Sequence, residues 1–475
     1  MIMKKYYIPL FLSLIISAAG CRKAEKIDFQ FNKDLDYVPI ELDNWLSGNF
    51  TNPYNMEIVY RFDRYKMGEL KQNLSPAKEE KVKEQMEMIR NGFIVPFEKA
   101  AGSVFAKTYF PKEWVLSGSY AVTSDGRILA LSSGGRSITI YEVNTADTTN
   151  AEVTRAKLKT VHHEYAHTLT QIIRIPREFE SISEANYSAD WRSSFTYPDA
   201  INDAQGFVSR YSRANVMEDF AETAGFLLVY GQLWYDTRAG KIPASGYDIL
   251  KKKEAALVKF YRDSYGVDFR RVQREMAQAM YTRFNDKQKQ SFAYWFFDQA
   301  TFTYTLPYNT AVSSADLKTK VNNFITKAPL AANTQFDKYV VKDLTFLFTP
   351  GALIPNSNAK QGDLIIRVGY QRNTAPVAYA DYTFKYLTNP ANNTVKFDKS
   401  TQGTDVNQNA NAKLFMPPFM DEIASYFTSG NFVPEWSIDA PSRTRLDEFF
   451  FDFGGFYKEA DKGSYINFPL QRARK

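Results

Sequence analysis

All three histidines of this 475-residue chain crowd into one short stretch, at positions 162, 163 and 167. Two of them frame His163-Glu164-Tyr165-Ala166-His167, an H-E-x-x-H pattern. On a helix, residues four apart stand one above the other on the same face. His163 and His167 can therefore offer two ring nitrogens to one ion, as tetrahedral zinc requires. Glu164 follows the first of them, where its carboxylate can take a proton from a water on that ion. Leu158, Val161, Tyr165, Leu169 and Ile172 recur at three- and four-residue steps, which predicts a helix over 158–173 with an apolar stripe. At about 100° per residue, His163 lies about 200° round from Val161, so the histidine face points away from the core. H-E-x-x-H also arises by chance in proteins without metal. In a chain otherwise free of histidine, however, packing or solvation explains the pair poorly. His162 points about 100° away from His163 and reads as a supporting or surface residue rather than a ligand.

The histidine census makes the third ligand a carboxylate. Thr170 and Ile173 stand where the longer H-E-x-x-H-x-x-G-x-x-H pattern needs Gly and His, so that pattern fails. The His-His-Glu set of thermolysin-type sites remains. In the segment 209–235, Val216, Phe220, Ala224 and Leu227 form a helical apolar stripe, with Glu218 and Glu222 displaced from it. Like charges at this spacing repel mildly on a solvated helix. Beside a divalent cation both become favourable, Glu218 as ligand and Glu222, one turn on, as acceptor of the second N–H of a liganding His. Glu178, Glu180 and Glu184 are rivals for the ligand role, nearer in sequence but in no clear helix.

At its start the chain reads MIMKKYYIPLFLSLIISAAGC. Lys4 and Lys5 precede an apolar core from Tyr6 to Ile16, too short to span a bilayer comfortably. Ala18, Ala19 and Gly20 then lead into Cys21, the one cysteine of the chain. The ending is similar to the lipobox of bacterial lipoproteins, so residues 1–20 are expected to be a signal peptide and Cys21 a lipid anchor, followed by a linker over 21–35. No internal disulfide is possible. Residues 1–20 carry two positive and no negative charges, so the formal net charge of +6 falls to +4 after cleavage. Lysine and arginine are spread along the chain, which leaves no electrostatic case for nucleic acid.

Between anchor and histidines, LDNWLSGNFTNPYNMEIVYRFDRY reads as a helix or turn and then a strand through Met56, Ile58 and Tyr60. Residues 75–102 read as a helix or two behind a Ser-Pro start, and 113–144 as strands between Gly- and Ser-rich turns. The last of these, Ser137 to Val143, is a candidate edge strand for extended substrate, or an ordinary sheet strand. Residues 175–210 look irregular, and 246–284 like two helices broken at Gly266. Beyond, 339–349, 362–372, 377–388 and 393–400 alternate in the manner of strands, and 418–430 is one short helix. The expected division is a domain over 36–285 and a β-rich accessory domain over 286–475, beginning somewhere between 285 and 335.

Taken in order, the lipobox, NFTNPYNMEIVYRF, the Gly-rich strand region, VHHEYAHTL and EDFAE resemble the zinc-binding metallopeptidase lipoproteins of Bacteroidetes. These are also described as substrate-import-associated zinc metallohydrolases. The resemblance covers roughly residues 28–284. It implies an α+β, zincin-like fold of gluzincin type, one zinc ion and hydrolase activity. It also implies an outer-membrane lipoprotein, on the periplasmic or the cell-surface face, near a TonB-dependent transporter and a glycan-binding lipoprotein. Tyr211-Ser-Arg-Ala-Asn-Val-Met-Glu218-Asp-Phe-Ala-Glu222 is similar, more distantly, to a segment of anthrax lethal factor. That likeness implies that the Tyr211 hydroxyl stabilises an oxyanion; a core role for Tyr211 stays open. VKFD and the TSGNFVPEWS strand of the tail resemble accessory domains of other lipoproteins of the same bacteria. The expectation is thus a zinc peptidase acting on peptide or protein. The alternative is a non-catalytic binding lipoprotein of a nutrient-import system, with a structural or vestigial zinc site.

Overall fold

A computed structural model describes residues 38–63, 65–66, 74–123, 126–298, 301–403 and 406–473. The expected signal peptide, Cys21 and the linker over 21–35 lie outside the described residues. The chain divides into a short unit ending at Trp45 and a large unit from Leu46 onward. In the short unit the Ile40 N–H donates to the Asp43 carboxylate at 2.9 Å, one half of a capping box at the start of the helix from Glu41.

The large unit opens as a mixed α/β layer. Strands β1 (Glu57–Val59), β2 (Glu113–Leu116), β5 (Ala130–Ser133) and β6 (Ser137–Ile140) form one sheet in the order β1-β2-β6-β5, while β3 (Ala121–Thr123) and β4 (Gly126–Ile128) pair as a separate hairpin. The contacts β1–β2 and β2–β6 are parallel and β5–β6 is antiparallel. A parallel pair needs a long crossover, and between β1 and β2 it is supplied by helices Glu79–Ile89 and Val95–Tyr109. Trp114, Leu116, Ile138 and Ile140 are buried against these helices and the long helix Ala151–Ile172. The sheet order corrects one expectation. Ser137–Ile140 is flanked on both sides, by β2 and β5, so it is an interior strand. The edge on this side is β5.

Helices dominate the next stretch: Val216–Gly225, Gly231–Gly240, Ala244–Tyr265 and Phe269–Arg283. The break at Gly266 is a left-handed C-cap, φ 65°, where the Gly266 N–H reaches back to the carbonyl of Arg262 at 2.9 Å. Among the described residues, no helix is long and apolar enough to cross a membrane.

From Thr305 on, the chain builds a ten-stranded sheet. Its strands are β7 (Thr305–Pro307), β8 (Val312–Ser313), β9 (Tyr339–Phe348), β10 (Ala352–Leu353), β11 (Lys360–Arg372), β12 (Ala378–Asn389), β13 (Thr394–Lys399), β14 (Asn431–Trp436), β15 (Phe453–Lys458) and β16 (Asp461–Pro469). The order is β7-β9-β11-β12-β13-β14-β15-β16-β8, with β10 on β11. β7 and β8 stand at opposite ends of that order yet are joined by only the turn over 308–311. A sheet with such ends must curl back on itself. Alternation fills the inside: Leu364, Ile366 and Val368 on β11 and Tyr382, Phe384 and Tyr386 on β12 are buried, the aliphatic and Phe side chains each worth about 1.5–3 kcal/mol when fully buried. Helix Ala315–Ala332 completes that core with Leu317, Val321, Phe324 and Ala328.

The two regions of the large unit are tied by polar contacts. Arg155 of the histidine helix pairs with Asp286, both 3% exposed. Lys289 also pairs with Glu152 of the same helix, at 2.6 Å and in a more exposed setting.

Candidate metal centre

The histidine helix is started by Asn150, whose side-chain oxygen accepts from the N–H groups of Glu152 and Val153 at 3.0 and 3.2 Å. Its apolar face settles on an aromatic layer, with Tyr165 edge-on to Phe93 at 4.7 Å and to Phe97 at 5.2 Å. That packing turns His163 and His167 to the other side. His162 goes with the core. It is fully buried, stacks on Phe97 at 5.8 Å, and its Nε2 lies 2.9 Å from the Gly92 carbonyl oxygen. Burial pushes its pKa down to about 4, against the bond to Gly92. The expectation of a supporting or surface residue is therefore corrected to a core one, while its place away from the ligands stands.

Helix Val216–Gly225 crosses beside it. Asn215 caps this helix by accepting from Met217 and Glu218 N–H at 2.9 and 3.1 Å. Glu218 thus sits in the first turn, where a negative side chain is favoured by the helix dipole. At the far end Gly225 meets the histidine helix: a Cβ there would stand 3.1 Å from the Lys159 carbonyl oxygen. The missing side chain lets the two helices close.

Their closeness assembles three donor atoms. Nε2 of His163 is 3.0 Å from Oε2 of Glu218, Nε2 of His167 is 3.2 Å from the same oxygen, and the two Nε2 atoms are 3.1 Å apart. On the next turn Glu222 Oε1 lies 2.9 Å from Nδ1 of His163. Lys159 pairs with that same oxygen, and the Ser209 hydroxyl donates to Oε2 at 2.6 Å. Burial disfavours charge on both glutamates. The histidines nevertheless hold Glu218 far below the usual carboxylate range, and His163 with Lys159 brings Glu222 down to about 2. For His163 burial is likewise outweighed, by Glu218 and Glu222, and its pKa rises to about 9.

Glu164 faces this cluster from the histidine helix, 8% exposed. Its carboxylate has no hydrogen-bond partner among the described residues. The Tyr211 ring lies nearly parallel to His163, 5.8 Å away at 16°, and Trp191 backs it at 4.9 Å. Burial and the charge of Glu218 push the Tyr211 phenol well above its ordinary pKa, so it keeps its proton.

The rival carboxylates go elsewhere. Glu180 pairs with Arg174 and Arg177, Glu184 with Arg177, and Glu178 with Lys259. Sequence reasoning overlooked Lys159, Ser209 and Trp191. For Lys159 a signal existed: it lies four residues before His163, on the same face of the helix.

The donor set suits zinc. Ligands about 2.0–2.1 Å from a tetrahedral ion stand roughly 3.3 Å from one another, close to the observed 3.0–3.2 Å. Two imidazole nitrogens and one carboxylate oxygen form the cluster that could hold a metal among the described residues.

Comparison with known proteins bears on this cluster. No curated protein matches the chain. A solved structure titled as a "putative zinc-binding metallo-peptidase" from Bacteroides caccae ATCC 43185 is 25% identical, over 50% of this chain and 91% of that one, with a TM-score of 0.42. Residues 36–270, which include every member of the cluster, match the model of the family described as "Putative zinc-binding metallo-peptidase".

Proposed function

We propose that the chain is a zinc-dependent peptidase of gluzincin type, anchored to the outer membrane by a lipid on Cys21. The observation that carries this reading is the convergence of His163, His167 and Glu218 within 3.2 Å of one another, with Glu164 beside them. Bound there, zinc supplies a water of pKa near 7 and a Lewis acid for a carbonyl oxygen. Glu164, without a hydrogen-bond partner among the described residues, accepts the proton of the attacking water and hands it on to the leaving amine. Attack leaves negative charge on the former carbonyl oxygen, and the protonated Tyr211 hydroxyl donates to it. Losing one such donor typically costs about 2.7–4 kcal/mol of transition-state stabilisation. Glu222, steadied by Lys159 and Ser209, keeps the His163 ring oriented with Nε2 toward Glu218.

Substrate enters in extended form along β5. Among the described residues that strand has one strand neighbour, so its outer N–H and C=O groups can pair with a peptide backbone. Gln171 of the histidine helix accepts from the Gly135 N–H in the β5–β6 turn, tying edge and cluster together. The lipid anchor rests on the leader pattern ending Ala-Ala-Gly-Cys21. Association with a TonB-dependent transporter and its glycan-binding partner, on the periplasmic or the surface face, rests on the family resemblance.

The test is metal analysis followed by digestion of a broad peptide library. We expect one zinc per chain and cleavage that disappears on chelation and in His167→Ala. Stoichiometric zinc without cleavage of any library member overturns the peptidase reading in favour of a binding lipoprotein.

A further inference from the structure

The element that carries Glu218 and Glu222 does not end with them. It runs on through Phe226–Tyr230 and, past Gly231 at φ 84°, into Gly231–Gly240. Residues 228–233 of this run form one wall of a cavity of about 290 Å³. Helix Phe269–Arg283 supplies a second wall, and Trp295, Phe451 and Arg472 close it from the C-terminal region. At 1.5 Å per residue, Leu228 lies about 9 Å along the helix from Glu222, so the cavity is distinct from the metal cluster.

Three arginines and three carboxylates, those of Asp447, Glu448 and Asp452, line it, but not every arginine is hydrogen-bonded. Arg270 is consumed by Glu254 and by Gln273, to which its Nη1 donates at 2.8 Å. Arg274 and Arg472 are different. Arg274 comes no nearer to a carboxylate than 3.8 Å, at Asp268. Arg472 stands 3.5 Å from Asp452 and 3.7 Å from Asp236. Neither guanidinium makes a hydrogen bond with any described residue, and one nitrogen of each, Nε of Arg274 and Nη1 of Arg472, is shut off from solvent without a partner. Buried donors left unpaired cost free energy. Those two atoms are out of reach, but the side chains stay partly open, 22% for Arg274 and 30% for Arg472, and both line the cavity, where their remaining N–H groups can meet an acceptor.

We propose that this cavity binds a small organic carboxylate, its charged end on Arg274 and Arg472 and its apolar body against Leu228, Leu233, Trp295 and Phe451. The guanidinium fork matches the two oxygens of a carboxylate. The volume is just below the range of drug-sized pockets, which suits one residue-sized molecule and excludes a long peptide. Asp447 and Glu448 also line the cavity, and their charge disfavours multiply charged anions such as phosphate. A hydrophobic C-terminal residue has this chemistry, but the site does not depend on the zinc reading.

Calorimetric titration of the full chain tests it, with N-acetyl-L-leucine, its uncharged amide and inorganic phosphate as probes. The acid is expected to bind once per chain, with the amide and phosphate at least tenfold weaker. Arg472→Gln and Arg274→Gln should each weaken the acid at least tenfold while keeping zinc content. Ala277→Leu, which narrows the cavity while keeping both guanidinium groups, should do the same and serves if an arginine variant fails to fold. Equal affinity for acid and amide, tighter binding of phosphate, or unchanged affinity in Ala277→Leu overturns the proposal. So does loss of acid binding in His163→Ala, which would place the ligand on the metal cluster.

Discussion

Glu222 Oε1 lies 2.9 Å from Nδ1 of His163, the ring nitrogen turned away from the donor cluster, and shares the same oxygen with Lys159. One carboxylate therefore fixes the orientation of a candidate ligand and is itself held by a cation. Glu222→Gln keeps the shape but loses the charge. Zinc affinity in chelator competition is expected to fall about 10–100-fold, with the thermal melt little changed.

Glu164 and Tyr211 separate from the ligands by their effect. Glu164→Gln should retain full zinc and lose turnover, because an amide accepts no proton. Tyr211→Phe should retain zinc and KM and lower kcat by about 10²–10³, the usual loss for one oxyanion donor. Metal content and steady-state kinetics on a cleaved peptide decide both. An unchanged kcat in Tyr211→Phe would return that ring to simple packing against His163 and Trp191.

Gly225 sets the spacing of the two helices. Gly225→Val has no room beside the Lys159 carbonyl oxygen and should cost about 1–3 kcal/mol, the range for overpacking. Zinc occupancy should drop with it, since Glu218 rides on the displaced helix. Denaturant melts and metal analysis on one sample would show whether the two losses go together.

Lys157 supplies a pH dependence. Burial, helped by the nearby Arg127 charge, lowers its pKa from 10.5 to about 8, while its ammonium donates to the Glu142 carbonyl at 2.8 Å. Below about pH 8 the folded chain holds this lysine charged at a cost. Between about 8 and 10.5 the unfolded chain binds the extra proton, so stability from this group rises with pH. Lys157→Met lacks that rise. Its Tm relative to the parent should be highest near pH 7 and fall toward pH 10; a flat difference would contradict the shift.

Asp286 and Arg155 form a buried pair across the junction of the two regions. Removing one partner leaves the other charge unpaired, so Asp286→Ala should destabilise by about 3–5 kcal/mol, read by urea unfolding. A chain cut at 285 would carry the same defect.

Much of the site could be read from residue spacing because helices are local. His163 and His167 at i and i+4 lie on one face, as do Glu218 and Glu222, whatever the rest of the chain does. Choosing Glu218 over Glu178, Glu180 and Glu184 needed tertiary information, namely that Arg174, Arg177 and Lys259 occupy the others. The order of the four-stranded sheet was likewise out of reach. Ser137–Ile140 and Ala130–Ser133 are both short and polar-rich, and only long-range parallel pairing with β2 makes the first interior. Helix Ala315–Ala332 escaped notice because a strand-rich stretch surrounds it and Pro329 interrupts its last turn. His162 shows the limit from the other side: its angle from His163 was right, but only the aromatic layer tells whether that direction is water or core.

The curled C-terminal sheet has a consequence for what can dock on this protein. Its terminal strands, β7 and β8, are three and two residues long and lie at the two ends of a sheet that turns back on itself. Exposed strand edges invite pairing with other chains, and here almost nothing of either edge is long enough to template it. A peptide in search of backbone partners finds little on either end of the curled sheet. β5, four residues long, is the longest terminal strand of either sheet among the described residues, and if the proposed peptidase reading holds, an extended chain that finds no template on the large sheet would find one there, beside the histidine helix.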